Sequence, residues 1–357
     1  MEFALPLSSS QTIYLENLGQ HPMAYTLGQQ PMTLDEIDFD NNNETINTGR
    51  TDDDADVPAL LMPFPTDHTV AMCGQLAQLS AKQDDFRTGT SVMETSPGVM
   101  EVFEFAVTWD GHGSDECIER LRAIPQPQLE QYVALENPVE GFATYLDSMP
   151  MPSERISGST MCLARIFGDR VEIINCGDSR AMVFKNGELA LFTVEHNWTN
   201  PAERKRVEEM GGRFLPDQSF ELMHEKCMKG AYAERAYFNP LVRLATTQAL
   251  GHHRSTGYAP DTTVIPYGRG DRLRIVMGSD GLWDMVLEDS PADKQFLMVQ
   301  SGEQIMDRFK TRWLQKWEMR TTNPVTGLQD IGFYAFTEKQ CDDITVVAID
   351  ITPTHLP

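Results

Sequence analysis

The sequence predicts an α+β protein in which antiparallel sheets are combined with helices. Residues 157–194 alternate short β-branched and aromatic runs with turn signals, the strongest being the Asn-Gly pair at 186–187, and this pattern predicts an antiparallel meander. Capping patterns at 200–201 (Asn-Pro) and at 301–304 (Ser to Gln) each predict the start of a helix. The run at 344–351 is apolar on both faces, which is typical of a central strand.

Length and composition favour one large domain preceded by a different kind of segment. The chain has 357 residues, and its 41% hydrophobic content is enough for a substantial core. Residues 1–65 are polar, with acidic residues concentrated between positions 34 and 56 and little periodic apolar pattern. We therefore predict a flexible, acidic N-terminal segment, either an interaction arm or plain solvated chain, followed by a compact domain at 66–357.

The charge and the cysteines exclude several classes of protein. A formal net charge of -24 would repel a phosphate backbone, so we expect no nucleic-acid partner. The sequence has no run of about 18 apolar residues and its first residues do not resemble a signal peptide, so we expect no membrane partner and a cytoplasmic monomer, with the nucleus as an alternative. The six cysteines form no C-x-x-C pair, which indicates reduced thiols rather than structural zinc.

Local sequence patterns also predict helices after residue 114 and an irregular segment after residue 214. Helical segments are expected from Ser114 to Leu121, with Ser114 as the N-cap, and across 126–146 with an interruption near Pro138. Residues 214–242 show no clear period and predict an irregular surface segment.

The clearest chemical signal is a strand that leads into an acidic loop. Residues 103–109 place aromatic and β-branched side chains on one face at period two, and the strand is expected to end at Asp110. Gly111 and Gly113 then flank His112. A carboxylate, a bare carbonyl and a titratable ring in succession favour a metal or phosphate site, and the alternative is a surface Asp-Gly turn.

Two other acidic residues are expected to meet this loop. Asp280 follows a predicted strand at 271–277, and Asp342 precedes the strand at 344–351. In an antiparallel sheet these positions lie at the same edge as Asp110. Converging carboxylates repel each other unless cations neutralise them, and oxygen ligands favour Mg²⁺ or Mn²⁺ over zinc. Two such ions about 3.5–4 Å apart can clamp a phosphoryl group, so the residues predict a metal-assisted phosphoester hydrolase.

Eight motifs follow one another along the chain: QD at 83, DGHG at 110, SGST at 157, GDSRA at 177, GG at 211, LATTQALG at 244, SDGLWD at 279 and DDITVV at 342. In this order they resemble a known family, the metal-dependent serine/threonine protein phosphatases of type 2C, and the resemblance covers about residues 69–351. It implies a central β-sandwich of two antiparallel sheets flanked by helices. It also implies hydrolysis of phosphoserine or phosphothreonine in phosphoproteins by a hydroxide that bridges two Mg²⁺ or Mn²⁺ ions.

The resemblance implies a role for each matching residue. Asp110 bridges both ions, the Gly111 carbonyl ligates one of them, and Asp280 and Asp342 hold the other. Asp178 matches the acid of a third, weaker metal site, and Asp84 matches the acid that orders metal-bound water.

His112 matches the general acid that protonates the leaving serine or threonine oxygen, a task suited to a group with an ordinary pKa of about 6.5. The alternative is a loop histidine without a catalytic role.

The sequence departs from the family where the substrate phosphate is gripped. Leu79 stands where many members have an arginine, so we expect Lys82 or Arg87 to supply the positive charge. Other departures from frequent family residues are Gln83, Gln248, His252 and Asp343.

Two alternative functions are a phosphatase-like scaffold and a nuclease. A catalytically weak, phosphatase-like scaffold that binds a partner is favoured by the missing arginine and opposed by the complete set of metal-ligating acids. A metal-dependent nuclease is opposed by the acidic charge.

Overall fold

The computed structural model describes residues 60–62, 68–148, 157–217, 219–224, 227–230, 234–323 and 325–354, all within one compact unit. The predicted flexible segment, 1–65, lies outside the described residues apart from 60–62, and its flexibility stays a prediction.

The strands account for most of the described chain. In order they are β1 Leu60–Met62, β2 His68–Ala77, β3 Asp84–Ser96, β4 Val99–Gly113, β5 Ser157–Ser159, β6 Met161–Ile166, β7 Arg170–Cys176, β8 Arg180–Lys185, β9 Glu188–Phe192, β10 Arg213–Pro216, β11 Ser219–His224, β12 Cys227–Gly230, β13 Glu234–Asn239, β14 Val242–Leu244, β15 Leu250–Gly251, β16 Asp261–Pro266, β17 Leu273–Gly278, β18 Lys316–Thr322, β19 Gln329–Ala335 and β20 Ile344–Pro353.

The helices fall into two groups along the chain, one before β5 and one after β17, with a single helix between them. They are α1 Glu116–Ala123, α2 Gln126–Val133, α3 Pro138–Asp147, α4 Pro201–Glu209, α5 Asp280–Trp283, α6 Pro291–Val299 and α7 Gly302–Trp313. None of these described helices is long and apolar enough to cross a membrane.

Two large sheets form the centre of the fold. The first has the order β15-β5-β4-β6-β7-β16, with β1 and β3 also paired to β4, and the second has the order β2-β20-β17-β8-β9. Two small sheets, β10-β13-β14 and β12-β11-β18-β19, lie outside them. Pairing in the large sheets is antiparallel, except that β1 runs parallel to β4.

The two large sheets pack face to face through small and branched side chains. Ala106, Ile173 and Ile265 of the first sheet share one buried cluster with Val183 and Val347 of the second. A sheet that is apolar on one face must bury that face, and stacking two sheets buries both. The predicted fold class, a sandwich of two antiparallel sheets flanked by helices, is confirmed.

The outer face of each sheet carries one group of helices. Phe103 and Trp109 of β4 pack with Leu121 of α1 and Phe142 of α3, which confirms the predicted period-two face of that strand. On the other side, the second sheet packs against α5, α6 and α7 through side chains that include Phe309. In the run at 344–351, every residue except Asp350 is buried, so the strand is buried on both faces between β2 and β17, as predicted.

The predicted meander at 157–194 is wrong as a single sheet. β6 and β7 pair within the first sheet, whereas β8 and β9 belong to the second. The chain changes sheet at Gly177, whose φ of +117° a side chain would rarely adopt. The Asn-Gly hairpin at 186–187 is confirmed, because both of its residues have positive φ, as a type I′ turn requires.

The predictions made from local sequence signals are confirmed at some positions and wrong at others. The capping box of Ser301 and Gln304 and the N-cap of Asn200 are both present. Asp115, rather than Ser114, is the N-cap position of α1. The segment 214–242, expected to be irregular, contributes β10 to β14, because pairing between distant strands orders residues that lack a strong local pattern.

Asp293 anchors the helical layer over the second sheet, and its contribution to stability should depend on pH. Its buried carboxylate accepts hydrogen bonds from Arg308 and Arg312 and from the backbone N–H of Leu287. Burial raises the pKa of Asp293, but the hydrogen bonds from Arg312 and Leu287 outweigh it and the net pKa is lowered.

Because the folded-state pKa is below the ordinary value of about 3.9, the carboxylate stabilises the fold above about pH 4 and less as pH falls further. Asp293→Asn should therefore cost about 2 kcal/mol of unfolding free energy at pH 7, with a smaller loss near pH 3. Urea denaturation at both pH values measures the difference, and an equal loss at both would contradict the assigned pKa direction.

Candidate active site

Four carboxylates meet at one end of the sandwich. Asp84 is the first residue of β3 and lies directly opposite Asp110 of β4 in the first sheet. Asp280 begins α5 after β17, and Asp342 precedes β20, in the second sheet. A Cβ atom on Gly281 would lie 3.2 Å from the Cβ of Asp342, so these two chain segments are in close contact. The acids therefore come from both sheets, and the expectation of a single sheet edge is wrong.

The electrostatics of Asp110 show that the acids share one site. Its carboxyl is buried, and its pKa is raised well above the usual value. Burial is the largest cause, followed by the charges of Asp280, Asp84, Asp342 and Asp178. A group of carboxylates in this position favours neutralisation by protons or by cations.

Asp84 belongs to the same electrostatic group. Burial and then the charge of Asp343 raise the pKa of Asp84 to about 8. The hydroxyl of Thr345 donates a hydrogen bond to Asp84 Oδ2 at 2.9 Å, which acts in the opposite direction. The carboxyl is thus held in place even though its charged form is disfavoured.

Asp178 lies at the point where the chain crosses from the first sheet to the second. The preceding Gly177 is held by His196, whose Nδ1 accepts the Gly177 N–H at 3.0 Å and whose own N–H donates to the Gly177 carbonyl. Burial and the charge of Asp280 raise the pKa of Asp178. The structure therefore brings Asp178 within electrostatic reach of the four acids.

The carboxylate oxygens of these acids are ligands of the kind that a hard divalent cation prefers. Asp110 Oδ2 is buried without a hydrogen-bond partner, and neither carboxylate oxygen of Asp178 has a hydrogen-bond partner in another residue. Within the described chain, no three His, Cys, Asp or Glu side chains are already arranged so that together they could hold one ion. Oxygen donors of this kind suit Mg²⁺ or Mn²⁺, and ligation would require side-chain rotation that brings the oxygens together.

Gly111 is required for close approach rather than for an unusual backbone angle. A Cβ at this position would lie 2.8 Å from the carbonyl oxygen of Gln83 and 3.0 Å from Ile118 Cβ. The Gly111 N–H donates to that same Gln83 carbonyl at 2.9 Å. β4 continues through Gly113, beyond the predicted end at Asp110, because residues 111–113 pair with β5.

Asp343 organises the loop that precedes Asp84. Its Oδ1 accepts the backbone N–H groups of Leu79 at 2.6 Å and Ser80 at 2.9 Å, and its Oδ2 accepts that of Gln83 at 2.8 Å. The carboxylate is buried, so these three bonds are protected from water. One side chain thereby sets the path of residues 79–83.

His112 is buried beside the acids, and its ring faces a second histidine. Its Nε2 lies 2.8 Å from Nε2 of His252, and its Nδ1 has no hydrogen-bond partner. Burial, and then His252, lower the pKa of His112 well below the usual value. A negatively charged ligand in the site would act in the opposite direction, since an opposite charge favours the protonated ring.

Comparison with known proteins shows the family of this chain. A family model described as protein phosphatase 2C matches residues 110–300, more than half of the chain. The chain belongs to the protein phosphatase 2C family.

Similar proteins within the family are distant. Probable protein phosphatase 2C 75 of Arabidopsis thaliana is 28% identical over 202 residues, which cover 55% of this chain and 44% of that protein. Probable protein phosphatase 2C 24 of the same plant is 24% identical over 271 residues, covering 68% of each chain. The chain thus spans less than half the length of the first relative and about two thirds of the second.

Solved structures also match most of the chain. A serine-threonine phosphatase 2C from Toxoplasma gondii is 18% identical, with a TM-score of 0.46, and the match covers 83% of this chain and 98% of that one. The catalytic domain of the serine/threonine phosphatase PstP, in complex with two manganese ions, is 15% identical with a TM-score of 0.43, covering 80% and 99%.

In this phosphatase 2C chain, one of the two positively charged residues expected beside the substrate phosphate lies elsewhere. Arg87 is not brought to the acids: its guanidinium donates to the carbonyls of Arg122 and Ile124 and to Gln126 Oε1, at the junction of α1 and α2. Its expected role in binding phosphate is therefore not supported. Leu79 packs against the apolar cluster under the second helical layer, where an arginine would lose that packing.

Lys82 stays beside the site. It has a positive φ of 60°, and its carbonyl accepts a hydrogen bond from Arg122 at 2.8 Å. The same guanidinium donates to the Asp84 carbonyl at 2.8 Å and lies 3.6 Å from Asp85. Arg122 thus supports the loop next to the acids.

Three residues of the site were missed as functional candidates. Asp343 and His252 carried a signal, because each departs from the residue frequent in the family. Arg122 carried none, because it lies 38 residues from Asp84 in the sequence and meets it only through the packing of α1 on β3.

Proposed function

We propose that this phosphatase 2C family member is a metal-dependent protein serine/threonine phosphatase. The observation that carries the proposal is the convergence of buried Asp84, Asp110, Asp280 and Asp342, which share one electrostatic site within a family fold. The substrate class is a phosphoprotein. Action as a monomer in the cytoplasm, or in the nucleus, stays a prediction from the sequence.

The proposed ligands are the residues carried over from the family motifs. Asp110 and the Gly111 carbonyl, with Asp280 and Asp342, would hold two Mg²⁺ or Mn²⁺ ions, and Asp178 would contribute to a third, weaker site. Such ions supply an activated water nucleophile and stabilise charge on the transferred phosphoryl group. Asp84, fixed by Thr345 and by the Asp343-bound loop, would orient that water.

The protein's own acid is His112. Its ring gives a proton to the leaving serine or threonine oxygen, so that the alcohol departs uncharged. Lys82, at the rim of the site, is the remaining candidate for binding the substrate phosphate. Burial of the acids excludes bulk water, which strengthens each of these electrostatic interactions.

The test combines hydrolysis with metal binding. Dephosphorylation of a phosphothreonine peptide should require added Mn²⁺ or Mg²⁺ and should stop when a chelator is added, because no side chain acts as the nucleophile. Mn²⁺ should also raise the melting temperature, since it neutralises buried repelling carboxylates. Full activity in excess chelator would contradict the proposal.

A second candidate is a catalytically weak, phosphatase-like scaffold. Leu79, packed into an apolar cluster where many family members have a phosphate-gripping arginine, favours it. It predicts that Mn²⁺ raises the melting temperature while no phosphopeptide is hydrolysed. The two measurements together therefore distinguish the two functions.

A further inference from the structure

A pair of buried histidines lies next to the carboxylates, formed by residues 140 positions apart in the chain. His112 Nε2 and His252 Nε2 are 2.8 Å apart, and the rings are nearly parallel, with 16° between their planes. Each residue is only 1% exposed. Nothing in the roles proposed above requires a second histidine here.

The surrounding chain leaves space for this pair. A Cβ on Gly158 would lie 2.3 Å from His252 Nε2 and 2.7 Å from His112 Nε2, so any side chain at that position would displace both rings. Residue 158 is paired with Gly251 in the first sheet, directly before His252. The close approach of the strands therefore depends on glycine.

The backbone that carries His252 is strained. His252, His253 and Arg254 have φ values of 49°, 49° and 57°, a left-handed conformation that costs about 1–2 kcal/mol per non-glycine residue. Arg254 is anchored on α3 by ion pairs with Glu140 and Asp147. Strain of this kind persists only where the surrounding structure enforces it, and it is concentrated at functional sites.

The hydrogen bond within the pair holds one proton. At 2.8 Å, one Nε2 must donate and the other must accept. If His252 donated, His112 would carry its hydrogen on Nδ1, which is buried and has no partner. An unsatisfied buried N–H is costlier than an unsatisfied acceptor, so donation by His112 is favoured.

We propose that His252 is a positioning residue for His112: it accepts the Nε2–H of His112, fixes the ring in that tautomer, and leaves Nδ1 as the nitrogen that carries the transferable proton. The second half rests on the proposed function, in which Nδ1 first takes a second proton from solvent. The Nδ1–H bond then breaks as the phosphorus–oxygen bond of the substrate breaks, an O–H bond forms on the leaving oxygen, and the ring is left neutral. His252 holds the Nε2 hydrogen throughout.

The first test is spectroscopic and needs no activity. In protein labelled with ¹⁵N-histidine, His112 should show a protonated Nε2 and an unprotonated Nδ1, with its signals assigned by their loss in His112→Asn. His252→Phe should shift His112 to a mixture of tautomers, whereas His252→Gln, which retains an acceptor, should preserve the Nε2–H form. A wild-type His112 whose hydrogen is on Nδ1 while Nε2 is unprotonated would overturn the proposal.

The second test separates positioning from general structural damage. p-Nitrophenolate leaves without protonation, but a threonine alkoxide does not. His252→Phe should therefore lower kcat on a phosphothreonine peptide by about 10–100-fold, change KM little, and barely affect p-nitrophenyl phosphate. His252→Gln should recover part of the loss. His253→Phe, a change at the neighbouring left-handed histidine, serves as the control and should leave both activities near wild type.

Equal losses on both substrates in His252→Phe would overturn the positioning role. If His252→Phe fails to fold, the wild-type tautomer and the His252→Gln kinetics decide the question. A wild-type protein inactive on both substrates would overturn the proposed function, while the ¹⁵N signals would still decide whether His252 fixes the His112 tautomer.

Discussion

Asp110→Asn is expected to stabilise the metal-free protein while removing its activity. Burial, and then the charges of four other acids, raise the pKa of the Asp110 carboxyl. Replacing it by a neutral amide of the same shape removes repulsion at the centre of this group. Melting temperature without metal should therefore rise by about 2–4 °C, which corresponds to about 1 kcal/mol for a domain of this size.

The same substitution should weaken metal binding more than any other single change, because Asp110 is the proposed ligand of both ions. Mn²⁺ should then raise the melting temperature much less than in the wild type, and hydrolysis of a phosphothreonine peptide should fall by at least about 100-fold. Differential scanning fluorimetry across a Mn²⁺ titration measures the first effect and steady-state kinetics the second.

Asp178→Asn is the matched control for this prediction. Asp178 is also buried with a raised pKa, but it is assigned only to the weaker third site. Its substitution should preserve the stabilisation by Mn²⁺ at the two main sites. If both variants lose metal affinity equally, the different roles assigned to Asp110 and Asp178 are wrong.

Asp343→Ala should both destabilise the protein and impair the site. It removes the acceptor of three backbone N–H groups in the loop at 79–83, and an unsatisfied buried donor costs about 1–3 kcal/mol. Part of the loop can move into water, where its N–H groups find new partners. We therefore expect the unfolding free energy measured by urea denaturation to fall by about 3 kcal/mol. Hydrogen exchange of the Leu79, Ser80 and Gln83 amides should become faster, and KM should rise because Lys82 is released.

Asp343→Asn should have an intermediate effect. An amide can retain the oxygen that accepts from Leu79 and Ser80, but its NH₂ group would then face the Gln83 N–H, donor against donor. Asp350→Asn, in the strand β20 that follows Asp343, is the control. The half-exposed carboxylate of Asp350 pairs with Arg274, so the loss of unfolding free energy should stay below about 1 kcal/mol. Unchanged exchange of the three amides in Asp343→Ala would show that the loop does not depend on Asp343.

By itself, the sequence determined features that depend on neighbours along the chain. The period-two face of residues 103–109, the Asn-Gly turn at 186–187 and the capping box of Ser301 and Gln304 were all predicted and are present. Each depends on backbone conformation or on contacts within a few residues, so the local pattern is sufficient. The order of the family motifs similarly indicated the sandwich and its helical layers.

Only the tertiary structure decided which side chains meet. β7 and β8 follow one another in sequence but belong to different sheets, and Arg87 is three residues from Asp84 yet binds the end of α1. His252 reaches His112 across 140 residues, and Asp343 reaches Gln83 across 260. These contacts depend on sheet register, on space left by glycines and on the packing of one sheet against the other. Such long-range interactions produce no periodic pattern in the sequence.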